Sequence, residues 1–112
     1  MVEYRNATLD RTFSALAHPA RRAIVRQLSG GPLSVTEVAE PHRMSLAAVS
    51  KHLDVLERAG LVRRAREGRI QRCSLVAAPL AETARWAEQY RAFWEQQLGS
   101  LSRYLVAKRR RS

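Results

Sequence analysis

Ser45-Leu46-Ala47-Ala48-Val49-Ser50-Lys51-His52-Leu53-Asp54-Val55-Leu56-Glu57-Arg58-Ala59-Gly60-Leu61-Val62 is the run of residues on which the fold turns. Ser45 is an N-cap residue type and Gly60 a helix terminator, so the stretch predicts a helix from Ser45 through Ala59. At about 100° per residue, Leu46, Val49, Leu53 and Leu56 share one stripe, which should pack against the rest of the domain. Ala47, Ala48, Lys51, Asp54, Val55 and Arg58 point the other way. Toward the N-terminal end this outward face is small and cationic, the shape a helix needs to enter a major groove. Alanines let the backbone approach closely and offer methyls to thymine, and Lys51 reaches a phosphate or a guanine edge. Ser50, at the border, can donate to a phosphate or a base. His52 lies on the flank of the buried stripe, where it either meets a nucleic-acid backbone or holds the helix in place as a half-buried imidazole. Asp54 and Glu57 would repel phosphates and mark the part of the helix that leaves the groove.

Downstream, Leu61–Glu67 reads as a strand, Gly68 as a turn and Arg69–Leu75 as the return strand. Between Val62 and Arg72 stand five arginines (Arg63, Arg64, Arg66, Arg69 and Arg72) against one acid, Glu67. A plain antiparallel ribbon needs no such row of cations. Upstream, Ser34-Val35-Thr36-Glu37 has the spacing of a capping box, and the helix it opens is short because Pro41 follows Glu40. Two further helices precede it. Leu9, Phe13, Leu16 and Ala17 line the first, which stops at His18-Pro19 because a residue before proline avoids the α region. Pro19 starts the second, whose inner face is Ala20, Ile24, Val25 and Leu28 and whose end is Gly30-Gly31-Pro32. A short helix, a tight connection and a longer helix make a helix-turn-helix, and the arginine-lined hairpin behind it reads as a wing.

Composition narrows the function. The chain has 112 residues, the length of one domain, and a net charge of +10. Of its 20 cations 18 are arginine, whose planar fork suits phosphates and guanine edges. Charge alone serves equally as a solvated surface, so the placement of the arginines decides. No apolar run approaches the ~18–20 residues that cross a bilayer, and Met1–Asn6 has no hydrophobic region of an export signal. The single cysteine, Cys73, forms no internal disulfide, which fits a reducing cytoplasm. Cys73 is either a redox-sensitive thiol made acidic by Arg72 or a small apolar strand residue. Catalytic arrangements are missing: there is no phosphate-binding glycine loop, nucleophile elbow or zinc-protease motif. Ser50 and His52, two apart on a helix, do not face each other. The expectation is a binding protein, not an enzyme, with no cofactor.

From Pro79 to about Val106 the pattern predicts one last helix of some 26 residues, a rod of about 39 Å. Leu80, Trp86, Tyr90, Phe93, Trp94, Leu98, Leu101 and Leu105 occupy about half its circumference. Docking on one's own domain takes a stripe of only ~100°. The surplus predicts a two-fold interface between copies, joined by Leu9 and Phe13 of the first helix. The domain is expected to span 1–107, and the basic run 108–112 to be a disordered tail.

The run Ser50-Lys51-His52-Leu53 to Ala59-Gly60-Leu61-Val62 closely resembles the ArsR/SmtB family of winged-helix bacterial repressors. Phe13–Arg22 is similar to the family's opening segment, and Ser34–Ala39 sits where its third helix begins. The resemblance implies a mostly α fold, five helices plus a wing, dimerising through its terminal helices. It also implies a homodimer on a palindromic double-stranded DNA operator, repressing transcription in the cytoplasm. The residues expected on DNA are Thr36, Ser45, Ala47, Ala48, Ser50, Lys51 and His52, with Arg64, Arg66, Arg69 and Arg72 from the wing. Metal-sensing members carry cysteine on the third helix or His and acidic ligands on the last. Here Val35–Glu40 has no Cys and the last helix no His, while His18, His42 and His52 lie on separate elements. A non-metal member is therefore expected, its effector unnamed by the sequence. The competing reading is a winged-helix protein-interaction module whose aromatic last helix binds a partner protein.

Overall fold

Val62–Glu67 and Ile70–Leu75 pair as an antiparallel hairpin in the computed structural model, which describes residues 2–111 and the side chains of residues 7–111. The elements run α1 (Val2–Leu16), α2 (Pro19–Leu28), β1 (Leu33–Ser34), α3 (Val35–Ala39), α4 (Leu46–Arg58), β2 (Val62–Glu67), β3 (Ile70–Leu75), α5 (Ala78–Glu88) and α6 (Arg91–Arg111). The sheet is antiparallel in the order β1-β3-β2. Glu67 pairs with Ile70, so Gly68-Arg69 is a two-residue loop. Gly68 has φ +65° and, among the described residues, no non-glycine residue has positive φ, the pattern of a II′ turn with glycine at its first central position. β1 escaped the sequence reading because two residues carry no alternation to read.

The core lies where α2, α3, α4 and the base of the hairpin meet. Ile24, Val38, Val49, Leu53, Leu56, Leu61 and Cys73 are fully buried. Each large aliphatic side chain there contributes about 1.5–3 kcal/mol by leaving water. Two assignments on α4 change. Leu46 is 54% exposed, because the core under α4 begins only at its second turn. Val55, expected to face outward, packs on the core. The reason is α1, whose Asp10, Ser14 and Ala15 share a groove with Val55, Arg58 and Ala59.

By its internal packing the chain divides into two compact units, Met1–Glu82 and Thr83–Ser112. The expected last rod is two helices. Gln89 and Tyr90 turn tightly through i→i−3 bonds to Trp86 and Ala87, and Arg91 pairs with Glu88 and with Glu95 at 3.5 Å. No proline or glycine announces that break. Residues 108–111, expected in a disordered tail, form the last turn of α6. Positive charge at a helix C-terminus is favoured by the helix dipole.

Candidate nucleic-acid interface

Two serine caps set the two helices of the motif. Ser45 Oγ accepts from the Ala48 amide at 3.1 Å and starts α4. Ser34 Oγ accepts from the Glu37 amide at 3.1 Å while Glu37 Oε1 accepts from the Ser34 amide at 2.9 Å, the complete capping box that starts α3. Hydrogen bonding from the Ser34 amide and hydroxyl holds the Glu37 carboxyl below its ordinary range. Glu37 is thereby held as a carboxylate, hydrogen-bonded to the N-terminus of its own helix. Thr36, in the same turn, is exposed.

On α4, Ala47 and Lys51 are exposed and Ala48 and Ser50 half-buried, so the first two turns present small and cationic groups. The register Ser34↔Arg72 sets Arg72 beside the start of α3. An open groove of about 490 Å³ follows, lined by Thr36 of α3, Leu46 of α4 and Arg69, Ile70 and Arg72 of the hairpin. Thr36, Arg69 and Arg72 are thus brought together from distant parts of the sequence. Leu46 and Ile70, which line the same groove as exposed apolar side chains, were missed. The helical stripe of α4 assigns Leu46 inward, and the sequence pattern gives Ile70 no role beyond the return strand.

The wing arginines are not equivalent. Arg66 and Arg69 are exposed and make no ion pair among the described residues. Arg72 Nε lies 2.9 Å from Glu67 Oε2. Arg64, expected on a phosphate, instead turns back onto α4. Its Nη2 meets Asp54 Oδ1 and lies 2.8 Å from Glu57 Oε1, with only 13% of the side chain exposed. The Glu57 hydrogen bond raises the Arg64 pKa above the arginine range; burial opposes the shift and Asp54 adds to it. This placement has a simple cause. Val62, Arg64 and Arg66 project from one face of β2, and at Arg64 that face still overlies α4.

The histidines are each engaged within the chain. His18 caps α2, its Nδ1 accepting from the Ala20 amide at 3.1 Å. His42 Nε2 lies 2.8 Å from Gln27 Oε1. His52 is half-buried, its ring 4.6 Å from that of His18 and its Nδ1 3.5 Å from Arg21 Nη1. Burial lowers the His52 pKa, and the positive charges of His18, Arg21 and His42 lower it further. His52 thus rests against His18 and Arg21 at the α1–α2 corner, in surroundings that favour its neutral ring. Cys73 is fully buried and burial pushes its thiol pKa up, which removes the acidic thiol that redox sensing needs.

Of the residues expected between copies, Leu9 is buried by its own chain and Leu80 packs on the core of the first unit. Phe13 is exposed on α1. In the second unit Trp86, Tyr90, Phe93, Trp94, Leu98, Leu101 and Leu105 are all exposed, and α6 buries no residue. Trp86 and Tyr90 rings sit 5.2 Å apart. Among the described residues no three of His, Cys, Asp and Glu gather at one point, and no helix is long and apolar enough to cross a membrane.

A helix-turn-helix domain model matches residues 16–65. The HTH-type transcriptional regulator Rv2034 of Mycobacterium tuberculosis is 50% identical over 62 residues, 55% of this chain and 56% of that protein. The match thus spans little more than half the length of that relative. The transcriptional repressor SdpR of Bacillus subtilis is 30% identical over 78 residues, 70% of this chain and 87% of SdpR. The crystal structure of the ArsR family transcriptional regulator RHA00566 superposes with a TM-score of 0.73 at 36% identity, covering 80% of this chain and 93% of that one. The chain belongs to the ArsR family of transcriptional regulators. The sheet β1-β3-β2 with its protruding hairpin is accordingly the wing of a winged helix-turn-helix, and α3–α4 the helix-turn-helix itself.

Proposed function

We propose that this ArsR-family chain is a sequence-specific DNA-binding regulator, acting by binding and not by catalysis. As a homodimer it occupies a palindromic operator and represses the promoter there. Each subunit lays the start of α4 in a major groove, where Ala47, Ala48, Ser50 and Lys51 face base edges and Ser45 meets the flanking phosphate. Thr36 and Arg72 hold phosphates beside it, and Arg66 and Arg69 hold the backbone at the adjacent minor groove. The two α4 helices of a dimer reach half-sites about 34 Å apart, one turn of duplex, or a multiple of that spacing. A cytoplasmic location follows from that role.

One observation carries the reading: the open groove where Thr36, Arg69 and Arg72, from separate elements, converge beside the exposed first turn of α4. The exposed aromatic and aliphatic side chains of α5 and α6 support the second copy, since apolar patches of this kind mark association surfaces. The test pairs light scattering with a gel shift on a duplex selected from a random library by binding to the protein. A dimer that retards the selected duplex at physiological salt supports the proposal. A monomer that leaves all duplex unshifted overturns it in favour of a protein-interaction module.

A further inference from the structure

The tip of the wing is a cantilever. All residues from Ala65 to Gln71 are exposed, whereas Val62 and Cys73 at its base are buried. The last side chain of β2 fixed to the body before that tip is Arg64, through two carboxylates of α4. Asp54 and Glu57 are i,i+3 neighbours on α4, and their like charges would repel each other without a cation between them. The guanidinium supplies it with Nη2 shared between the two and Nε 3.3 Å from Glu57 Oε1. Register places Arg64 opposite Cys73, level with the end of the core. From there Ala65, Arg66 and Glu67 span a further ~10 Å and are all exposed, while β3 alongside is held to the body as far as Arg72 by its pairing with Ser34.

We propose that Arg64 is a positioning residue for DNA recognition, and not a DNA ligand. With Asp54 and Glu57 it clasps the wing to the recognition helix. The clasp fixes the angle at which Arg66 and Arg69 meet the minor groove while α4 occupies the major groove. Its consequence is selectivity. A duplex whose groove geometry matches the fixed angle engages both elements at once, and any other duplex engages only one. This inference rests on the DNA-binding reading for its functional half, and on the fold alone for its mechanical half.

The experiment compares wild type with Arg64→Met, which keeps the apolar stem, and with Asp54→Asn/Glu57→Gln, which keeps the arginine. Affinities are measured for the selected duplex and for random duplex over a range of salt, with thermal melting as the folding control. Loss of the clasp lowers the ratio of selected to random affinity by about tenfold in either variant. The triple variant shows about the same tenfold loss and not the product of the two. The salt slope of Arg64→Met stays at the wild-type value. A slope smaller by about 0.9, with both duplexes weakened alike, makes Arg64 a phosphate ligand and overturns the proposal. An unchanged ratio in both variants overturns it as well. Amide order parameters of Arg66–Gln71 in the free protein supply a second readout, independent of DNA. They fall in both variants if the clasp holds the tip, and unchanged values refute the clasp. Wild type that binds no duplex sinks the functional reading separately, leaving the order parameters to judge the clasp.

Discussion

Replacing Arg66 and Arg69 together with alanine isolates the electrostatic share of the wing. Both side chains are exposed on the tip, and neither has an ion-pair partner among the described residues. Arg64 and Arg72, by contrast, are held by Asp54 and Glu57 and by Glu67. The two tip arginines are therefore available to phosphates without breaking an internal pair. Each phosphate neutralised on B-DNA contributes about 0.9 to the slope of log K against log salt, so losing two lowers the slope by about 1.8. Between about 50 and 200 mM salt, a fourfold change, wild type then loses roughly twelvefold more affinity than the double variant. Fluorescence anisotropy with a labelled duplex, repeated at four or five salt concentrations, reads that difference directly. Both sites are solvated, so stability should move by no more than about 0.5 kcal/mol. A slope equal to that of wild type would remove the wing tip from the phosphate contacts and refute the reasoning.

Lys51→Ala should weaken binding to the selected duplex by about 1–3 kcal/mol while leaving the melting curve of the protein unchanged; equal affinity across a salt titration contradicts its assignment. Leu53, fully buried beneath α4, should cost about 2–5 kcal/mol as Leu53→Ala in urea unfolding, and a loss below 1 kcal/mol would mean the core is wrongly placed. His52 has its pKa lowered in the fold by burial and by His18, Arg21 and His42, so folding favours the neutral ring. The unfolded chain takes up the proton first as pH falls below about 6.5, and stability drops from there toward the folded-state value and then levels. His52→Gln should lose stability less steeply between about pH 7 and 5.5, and identical profiles for the two proteins count against these surroundings for His52.

The helix-turn-helix and the wing were legible because their signals are local. Serine caps at Ser34 and Ser45, the stop at Gly60 and the Gly68 turn each act within a few residues, and all four fall where the spacing put them. What stayed hidden depends on neighbours. The helical wheel placed Leu46 inward and Val55 outward, and the course of α1 and the depth of the core reversed both. Five arginines in a hairpin read alike, yet the reach of Asp54 and Glu57 separates Arg64 from Arg66. The break at Gln89-Tyr90 has no punctuating residue; apolar spacing continues straight across it, and so one long rod was the natural expectation.

Backbone amide mapping of the protein with the selected duplex tests the central claim most directly. Shifts confined to Thr36, Ser45–Lys51 and Arg66–Arg72 are the result this account requires. Shifts that instead cluster on Phe93–Leu105 of α6, with α4 and the hairpin silent, would contradict it.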